Sequence, residues 1–290
     1  MAYLDWVRVA VLVENSARFA SPYLGLHGTA FFVEAYRGGA RLGVLVDVGQ
    51  NPDALLYNMK VLGVSPAAVD AIVLTHCHYD HTKGVSAVLK AIGKRGVPVV
   101  AHPDIFRPNF VAEPYLRYVG VDVDDSRERI VESGGALILS KDPVQLMPGL
   151  LTSGEVRKRV DFENVKSPFR TVSSDGRVVE DDMRDEIAVI ASVRNEGLVI
   201  ITSCSHPGIC SIVKQAIELT GVKKVKAIIG GLHLVEASEE RIRKTVEFLA
   251  QQDVDLIATG HCTGFKAQVE LYLKFKERFT PLYTGMVFTF

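Results

Sequence analysis

THCHYDHTKG, the stretch from Thr75 to Gly84, directly follows the apolar run from Ala71 to Leu74. Within six consecutive positions it places four potential metal ligands, which are His76, His78, Asp80 and His81. Imidazole nitrogen and carboxylate oxygen are ligands that suit Zn²⁺ and similar divalent ions. Because His76 and His78 are two positions apart, an extended chain would point both rings to the same side. The stretch therefore predicts a metal site at the end of a strand.

Three later histidines share one local context. Each follows an apolar run and small residues, and each is soon followed by a helical pattern; they are His206, His233 and His261. Sites in sheets flanked by helices form where strand ends open onto loops. We expect these three rings to converge on the crevice that holds the Thr75–Gly84 stretch. For any one of them alone, a role as a turn or core residue would be an equally good interpretation.

The pattern of apolar residues predicts both strands and helices. Apolar, β-branched runs predict strands at Leu4–Val13, Thr29–Tyr36, Leu42–Val48, Val97–Ala101, Ile187–Val193, Leu198–Thr202, Val225–Ile229 and Asp255–Thr259. Helical periodicity predicts helices at Asp53–Leu62, Val85–Lys94, Ile209–Leu219, Ser238–Gln251 and Phe265–Phe279. Gly96 is expected to close the second of these helices. Four strands end shortly before histidines, so their ends are expected to carry the site.

The middle of the chain is less regular. We predict one domain over residues 1–290, with insertions near 104–135 and 155–185 that form loops and short helices. Such insertions are common positions for lids that face a substrate. The acidic run from Glu180 to Glu186 is interpreted as a solvated charged loop and not as a metal site.

The composition and charge of the chain limit the classes of partner that we expect for the protein. The chain has 290 residues, of which 48% are hydrophobic and 23% charged, an ordinary globular balance. Its formal net charge of −1 gives no strong attraction to nucleic acid or to an anionic membrane. No apolar run is long enough to span a bilayer, and four cysteines do not suggest a disulfide framework. We expect a cytoplasmic protein with a small-molecule substrate and neither a nucleic-acid nor a membrane partner.

The ligands in the Thr75–Gly84 stretch match the H-x-H-x-D-H signature, and the chain resembles the metallo-β-lactamase superfamily. The resemblance implies an α/β fold, a four-layer αββα sandwich with metals at one edge. It implies a first ion bound by His76, His78 and His206, and a second bound by Asp80, His81 and His261. The superfamily often has a bridging aspartate after the strand that corresponds to Val225–Ile229. No aspartate follows that strand here, and His233 lies nearest.

A narrower likeness covers most of the chain. It rests on Glu14-Asn15, His27-Gly28, HYDHTKG, TSGEV with the downstream Phe162-Glu163, DEIAVI, SCSHPGI, IIGGLHL and GHCTG. These motifs resemble the subgroup that includes the dihydropterin-ribofuranosylaminobenzene-phosphate synthases of the archaeal methanopterin pathway. The resemblance implies a metal-dependent enzyme that acts on a phosphorylated or diphosphate-bearing small molecule. In the synthase reaction an aryl amine attacks a pterin methylene carbon and diphosphate leaves, so water must be excluded.

Two other functions fit the same ligands. One is a hydrolase of phosphodiesters, lactones or thioesters, in which water activated by the metal attacks the substrate. The other is a non-catalytic protein with a structural metal. The expected cofactor is one or two divalent ions, with zinc favoured and manganese or iron as alternatives.

The resemblance and the position of each residue suggest roles for individual side chains. Asp80 is expected to orient a nucleophile or take its proton, in addition to binding metal. His233 is expected to bind metal or to donate a hydrogen bond to an anionic substrate, as a catalytic or substrate-binding residue. His27 is a candidate substrate contact. Asp47, at the end of a neighbouring strand, is expected to fix the tautomer of a ligating ring. Three cysteines beside the ligands are assigned to packing: Cys77, Cys204 and Cys262.

Overall fold

The computed structural model describes residues 2–157 and 160–290. Its strands are β1 (Trp6–Val13), β2 (Ala30–Arg37), β3 (Ala40–Val46), β4 (Ala71–Val73), β5 (Val97–Ala101), β6 (Phe110–Val111), β7 (Arg117–Tyr118), β8 (Gly135–Leu139), β9 (Gln145–Met147), β10 (Leu150–Thr152), β11 (Phe169–Val172), β12 (Val178–Glu180), β13 (Val189–Val193), β14 (Gly197–Thr202), β15 (Val225–Gly231), β16 (Leu256–Gly260), β17 (Phe279–Pro281) and β18 (Val287–Thr289). Its α-helices are α1 (Pro52–Leu62), α2 (Tyr79–Thr82), α3 (Val85–Ile92), α4 (Arg127–Glu132), α5 (Ile209–Thr220), α6 (Glu239–Gln251) and α7 (Phe265–Phe275).

Two seven-stranded sheets carry the fold. The first has the order β18-β1-β2-β3-β4-β5-β8, and the second has the order β17-β16-β15-β14-β13-β10-β9. Strands β3, β4, β5 and β8 run parallel to one another, and so do β14, β15, β16 and β17. In a parallel arrangement the carboxyl ends of neighbouring strands meet at one edge of the sheet. The loops after β4, β14, β15 and β16 therefore leave their sheets at such edges.

The alternation of side chains along each strand produces the layers. In β1, Val7 and Val9 belong to a core shared by the two sheets, whereas Ala10 and Leu12 belong to a core formed with α1 and α3. In β14, neighbouring residues likewise divide between the shared core and a core formed with α5, α6 and α7. Successive strand residues point to opposite faces, so each sheet buries both faces. The result is the αββα sandwich that the resemblance implied.

Local signals set the ends of the helices. The side chain of Asn51 accepts a hydrogen bond from the Ala54 amide at 3.1 Å and caps α1, whose first residue is Pro52. Helix α3 ends at Ile92, because Gly93 takes the left-handed conformation (φ 72°) there, so the expected end at Gly96 is wrong. None of the helices in the described ranges is long and apolar enough to cross a membrane.

The predicted helix over Phe265–Phe279 is too long at its C-terminal end. Helix α7 ends at Phe275, and Lys276 begins a single 3-10 turn with a positive φ of 53°. Phe279 then opens β17, which pairs with β16 and completes the second sheet. Tertiary pairing with a sheet edge therefore overrides the helical periodicity of these last residues.

Both predicted insertions contribute to a third, four-stranded sheet with the order β12-β11-β6-β7. The expectation of loops and short helices alone was wrong for this region. Its strands have two to four residues each, so they are too short to show a period in the sequence. The insertion near 155–185 also contains Lys158 and Arg159, which lie outside the described residues. Strand β11 brings Phe169 to the histidines described next.

Candidate metal centre

The histidines that follow the strand ends lie together. Of the eight histidines in the chain, all of them described, only His102 lies outside one cluster. Ring centroids are 4.2 Å apart for His76 and His81, and 5.0 Å apart for His76 and His206. The rings of His81 and His261 are 5.1 Å apart. Several of these histidines are far apart in sequence, and they were predicted to converge. Their rings are thus close enough to share a metal ion.

Hydrogen bonds determine which nitrogen of His76 and His78 faces the cluster. The Thr75 hydroxyl donates to Asp47, so it accepts from His76 Nδ1–H at 3.0 Å. The Asn109 side-chain NH₂ donates to Asp181, so its Oδ1 accepts from His78 Nε2–H at 3.2 Å. These partners assign the proton of each ring to the nitrogen that points away from the other ring.

The two remaining ring nitrogens face each other without a proton. His76 Nε2 and His78 Nδ1 are 3.2 Å apart. Burial lowers the pKa of His78 to about 3 and the pKa of His76 well below its usual value, so protonation cannot separate the two lone pairs at neutral pH. Two nitrogens bound to one tetrahedral zinc ion at 2.0–2.1 Å would be about 3.3 Å apart. The pair therefore fits two ligands of one divalent cation.

A third nitrogen of this first group comes from His206. Its Nε2 is buried and has no hydrogen-bond partner among the described residues. Burial lowers the pKa of His206 well below its usual value, so the ring is neutral and can act as a ligand. Its ring lies 4.9 Å from that of His78. An orphaned buried imidazole nitrogen beside two unprotonated ones is what an ion-binding group requires.

The second group is centred on one carboxylate oxygen. Asp80 Oδ2 lies 3.3 Å from His81 Nε2, 3.4 Å from His261 Nε2 and 3.2 Å from His27 Nε2. His81 Nδ1 lies 3.0 Å from Asp47, and His261 Nδ1 lies 3.0 Å from Asn15 Oδ1, so both rings present Nε2 to Asp80. Asp80 and His81 themselves lie in the short helix α2.

Electrostatics favour a cation in the second group as well. Burial lowers the pKa of His261 to about 4, which leaves that ring neutral. Burial also acts to lower the pKa of His81, but the Asp80 and Asp47 carboxylates outweigh it and raise that pKa well above its usual value. The two buried carboxylates outnumber the one protonated ring, and a divalent cation that displaced the His81 proton would neutralise them.

Buried carboxylates hold the loops that carry the later histidines, and sequence reasoning missed them. Glu186 accepts hydrogen bonds from three consecutive amides, those of Cys204, Ser205 and His206. Glu14 accepts from the His261 amide at 3.0 Å. Burial raises the pKa of Glu186 and of Glu14 to about 7. Each carboxylate therefore sets the backbone path of one ligand loop.

The acidic run from Glu180 to Glu186 is not a solvated loop. Asp181, Asp185 and Glu186 are buried, with exposures of 3%, 0% and 1%. Asp185 accepts from the Cys77 amide at 2.8 Å and pairs with Arg107 at 2.7 Å. The earlier interpretation was wrong because charged residues close together in sequence carry no signal of burial. The one usable signal was their position directly before the apolar strand Ile187–Val193.

Cys204 has a more central position than its packing assignment suggested. Its Sγ lies 3.4 Å from His81 Nε2. It is also within 4.8 Å of ligand atoms of both groups, those of His76 and His206 and that of His261. A thiol in this position can serve as a further soft ligand. The signal in the sequence was its place two residues before a candidate histidine on the same strand end.

His233 takes the position next to His206. Its ring lies 4.1 Å from the His206 ring, and its backbone has a positive φ of 46°. Its Nδ1 is buried and has no hydrogen-bond partner among the described residues. His27 lies at the opposite end of the cluster, with about half of its side chain exposed. These two residues therefore face space that a substrate can enter.

Two cavities meet at the cluster. One, which we call the Arg241 cavity, has a volume of about 620 Å³ and is lined by Lys166, Phe169, His206, His233 and Arg241, among others. The other, the Arg117 cavity, has a volume of about 590 Å³ and is lined by His27, Tyr79, Asp80, Arg117 and Arg170, among others. Phe169, His206 and His233 line both cavities. The histidine cluster therefore lies at the junction of two substrate-sized spaces.

Gly28 fits against the loop that carries Asp80. Its φ is +119°, and a Cβ there would collide with the backbone carbonyl of Asp80. We expect Gly28→Ala to displace Asp80 and to weaken metal binding by about 10- to 100-fold, as loss of a supporting contact does. Metal titration monitored by calorimetry would measure this effect. Gly38→Ala is the matched control, since Gly38 also has a positive φ but has nothing within 4 Å of a Cβ. Equal affinities for the two variants would contradict the prediction.

The chain is similar to known proteins of one family. The family model of the metallo-beta-lactamase superfamily matches residues 24–160. The 7,8-dihydropterin-6-methyl-4-(beta-D-ribofuranosyl)-aminobenzene-5'-phosphate synthase of Methanocaldococcus jannaschii is 39% identical over 99% of this chain and 98% of its own. A second, uncharacterized protein of that organism is 30% identical over 91% of this chain and 93% of its own.

Among solved structures, a metal-dependent hydrolase of the beta-lactamase superfamily superposes with a TM-score of 0.79. It is 23% identical in sequence and covers 97% of this chain and 98% of its own. That likeness establishes the shared fold. The family match and the near-full-length identity to a synthase together establish that this chain is an enzyme of the metallo-beta-lactamase superfamily.

Proposed function

We propose that the protein joins a dihydropterin carrying a methylene diphosphate to a ribosylated aminobenzene phosphate, with release of diphosphate. The observation that carries this choice is the pair of cavities that open on the same histidines, since a condensation needs room for two substrates at once. The relative from M. jannaschii, named for such a product, supports it over nearly the whole chain. A hydrolase would need only one such cavity and access for water.

The residues of the cluster fit a divalent metal. His76, His78 and His206 would hold one ion, and Asp80, His81 and His261 would hold a second, with Cys204 placed to contribute to either. An ion bound there would stabilise the negative charge that develops on a diphosphate leaving group. We propose zinc as the ion, because imidazole and thiolate ligands suit it.

The Arg117 cavity fits the aryl amine. Arg117 and Arg170 line it and can bind a phosphate, which guanidinium groups recognise through paired N–H donors. Tyr79 and Phe169 present aromatic faces to the same space, suited to a benzene ring. The amine would then point toward Asp80 and His27, which line the same cavity.

Asp80 and His27 would manage the proton of the reaction. The amine nitrogen forms a bond to the methylene carbon, the bond from that carbon to the diphosphate oxygen breaks, and the amine loses one proton. His27 Nε2 lies 3.2 Å from Asp80 Oδ2, so this pair can accept that proton and pass it to solvent at the exposed side of His27. His27 would thus act in catalysis as well as in substrate binding.

Phe169 would limit access of water. Its ring lies 4.4 Å from the His78 ring and 5.4 Å from the His206 ring, and it lines both cavities. Exclusion of water protects an electrophilic carbon from hydrolysis. The short third sheet, which carries Phe169 in β11, therefore serves as a cover for the reacting groups.

The test combines both substrates with each candidate metal. Purified protein supplied with zinc, manganese or iron is expected to release diphosphate only when the aryl amine is present, and to yield the condensed product by mass spectrometry. In water enriched in oxygen-18 the product should carry no label. A labelled pterin alcohol formed without the amine would indicate the hydrolase instead. Lack of diphosphate release with every metal would reject the transferase.

The state of the cysteines supports a proposal about the compartment. All four are described and none is in a disulfide. We propose a cytoplasmic location, where thiols stay reduced.

A further inference from the structure

Arg241 is a buried cation whose side chain lines the Arg241 cavity. It is the third residue of α6, and its side chain is 8% exposed. Its Nε is buried and has no hydrogen-bond partner among the described residues. Burial of a charged group with unsatisfied donors is unfavourable, and a bound anion would relieve that cost. A guanidinium keeps its charge even when it is buried, and its planar N–H donors match phosphate oxygens.

The side chain lines the cavity that reaches the histidine cluster. The Arg241 cavity also contains His206 and His233, whose Nε2 and Nδ1 have no partners among the described residues. Three residues that line this one cavity therefore each have a buried nitrogen without a partner among the described residues. Two of these nitrogens belong to residues at the metal centre, and Arg241 adds a fixed positive charge beside them.

The start of α6 contributes to the same wall. Ser238, whose hydroxyl accepts from the Arg241 amide at 3.2 Å, caps this 13-residue helix and lines the cavity together with Ala237. The first amides of a helix have no partner inside it, and its dipole places positive charge at that end. Both features attract a phosphate group. The helix terminus and Arg241 thus act on the same space.

Acidic residues also line this cavity. Glu163 is the nearest buried one, but its oxygens accept from the Cys210 amide at 2.9 Å and from Ser211 at 2.9 Å and 2.6 Å, at the start of α5. Its charge is therefore already compensated by a helix terminus. Glu236 is exposed, and Glu180 accepts a hydrogen bond from the Ser167 amide at 2.8 Å. The charge of Glu163 still attracts the Arg241 guanidinium, but the hydrogen bonds that Glu163 and Glu180 make among the described residues go to other groups.

We propose that Arg241 and the N-terminus of α6 form a subsite for the diphosphate group of the pterin substrate, beside His206 and His233. The choice of diphosphate rests on the proposed function. The recognition of an anion does not, because it follows from the buried cation and the helix terminus alone. The position next to the metal-binding histidines suits a leaving group, whereas Arg117 and Arg170 serve the phosphate of the other substrate.

Titration of the full-length protein, as purified and with its metal content measured, tests the proposal. Calorimetry with inorganic pyrophosphate is expected to show binding that Arg241→Met weakens by about tenfold or more, since the loss removes a charge-assisted contact. Arg243→Met is the matched control: it lies on the same helix, faces solvent and pairs with Glu247 at 2.7 Å. Its affinity should stay within about twofold of wild type.

Three results would overturn the proposal: no pyrophosphate binding by the wild type, equal affinity in Arg241→Met, or equal loss in Arg243→Met. Inorganic phosphate should bind more weakly than pyrophosphate, and equal affinities would reject the diphosphate assignment. If Arg241→Met does not fold, Arg241→Lys keeps the charge and should still weaken binding, because it loses the planar donors. Intact Arg241-dependent binding without synthase activity would reject the proposed reaction and leave the anion subsite standing.

Discussion

Replacement of His206 by alanine is expected to lower the amount of bound divalent metal and to reduce activity about a thousandfold. The activity estimate follows from the several kcal/mol that a metal ion contributes to stabilising a transition state. His206 supplies the buried Nε2 that has no partner among the described residues and that lies beside the unprotonated nitrogens of His76 and His78. Without it, the first group keeps two nitrogens, fewer than a stable zinc site uses.

Metal analysis of the purified variant by plasma mass spectrometry would measure the first effect, and diphosphate release the second. His102→Ala is the control. His102 is fully buried but lies outside the cluster, where its Nε2 is 3.4 Å from Glu155. That variant should keep its metal. If His206→Ala bound as much metal as the wild type at the same affinity, the assignment of His206 to the first group would be wrong.

Replacement of Glu186 by alanine is expected to destabilise the protein by about 3–5 kcal/mol, because it leaves three consecutive buried amides without their acceptor. In a chain of this size such a loss corresponds to a fall in melting temperature of about 10 °C. The same amides belong to the loop that carries Cys204 and His206, so metal affinity should fall by about 10- to 100-fold as well.

Thermal unfolding followed by circular dichroism would give the stability, with Glu186→Gln as an intermediate variant that keeps one acceptor oxygen. Glu196→Ala is the matched control, since Glu196 is on the surface and pairs with Lys226. That change should shift the melting temperature by no more than about 2 °C. A similarly small shift for Glu186→Ala would show that the three amides find other partners, and would remove Glu186 from its supporting role.

The amino-acid sequence by itself determined the candidate ligands and the place of each at a strand end. His76, His78, Asp80 and His81 are recognisable because ligand chemistry depends on residue type and local spacing, both visible in a single stretch. His206 and His261 were recognisable because each follows an apolar run with small residues. The strand and helix periods indicated most of the elements, since burial on one or two faces leaves a regular pattern.

Tertiary structure alone decided how these groups are arranged. Which nitrogen of His78 faces the cluster depends on Asn109, and which nitrogen of His261 does so depends on Asn15; neither partner is near in sequence. The same holds for Glu186 and for Arg241, whose Nε has no hydrogen-bond partner among the described residues. Burial, pKa and the satisfaction of hydrogen bonds depend on everything packed around a group, and contacts between distant segments leave no periodic trace in the chain.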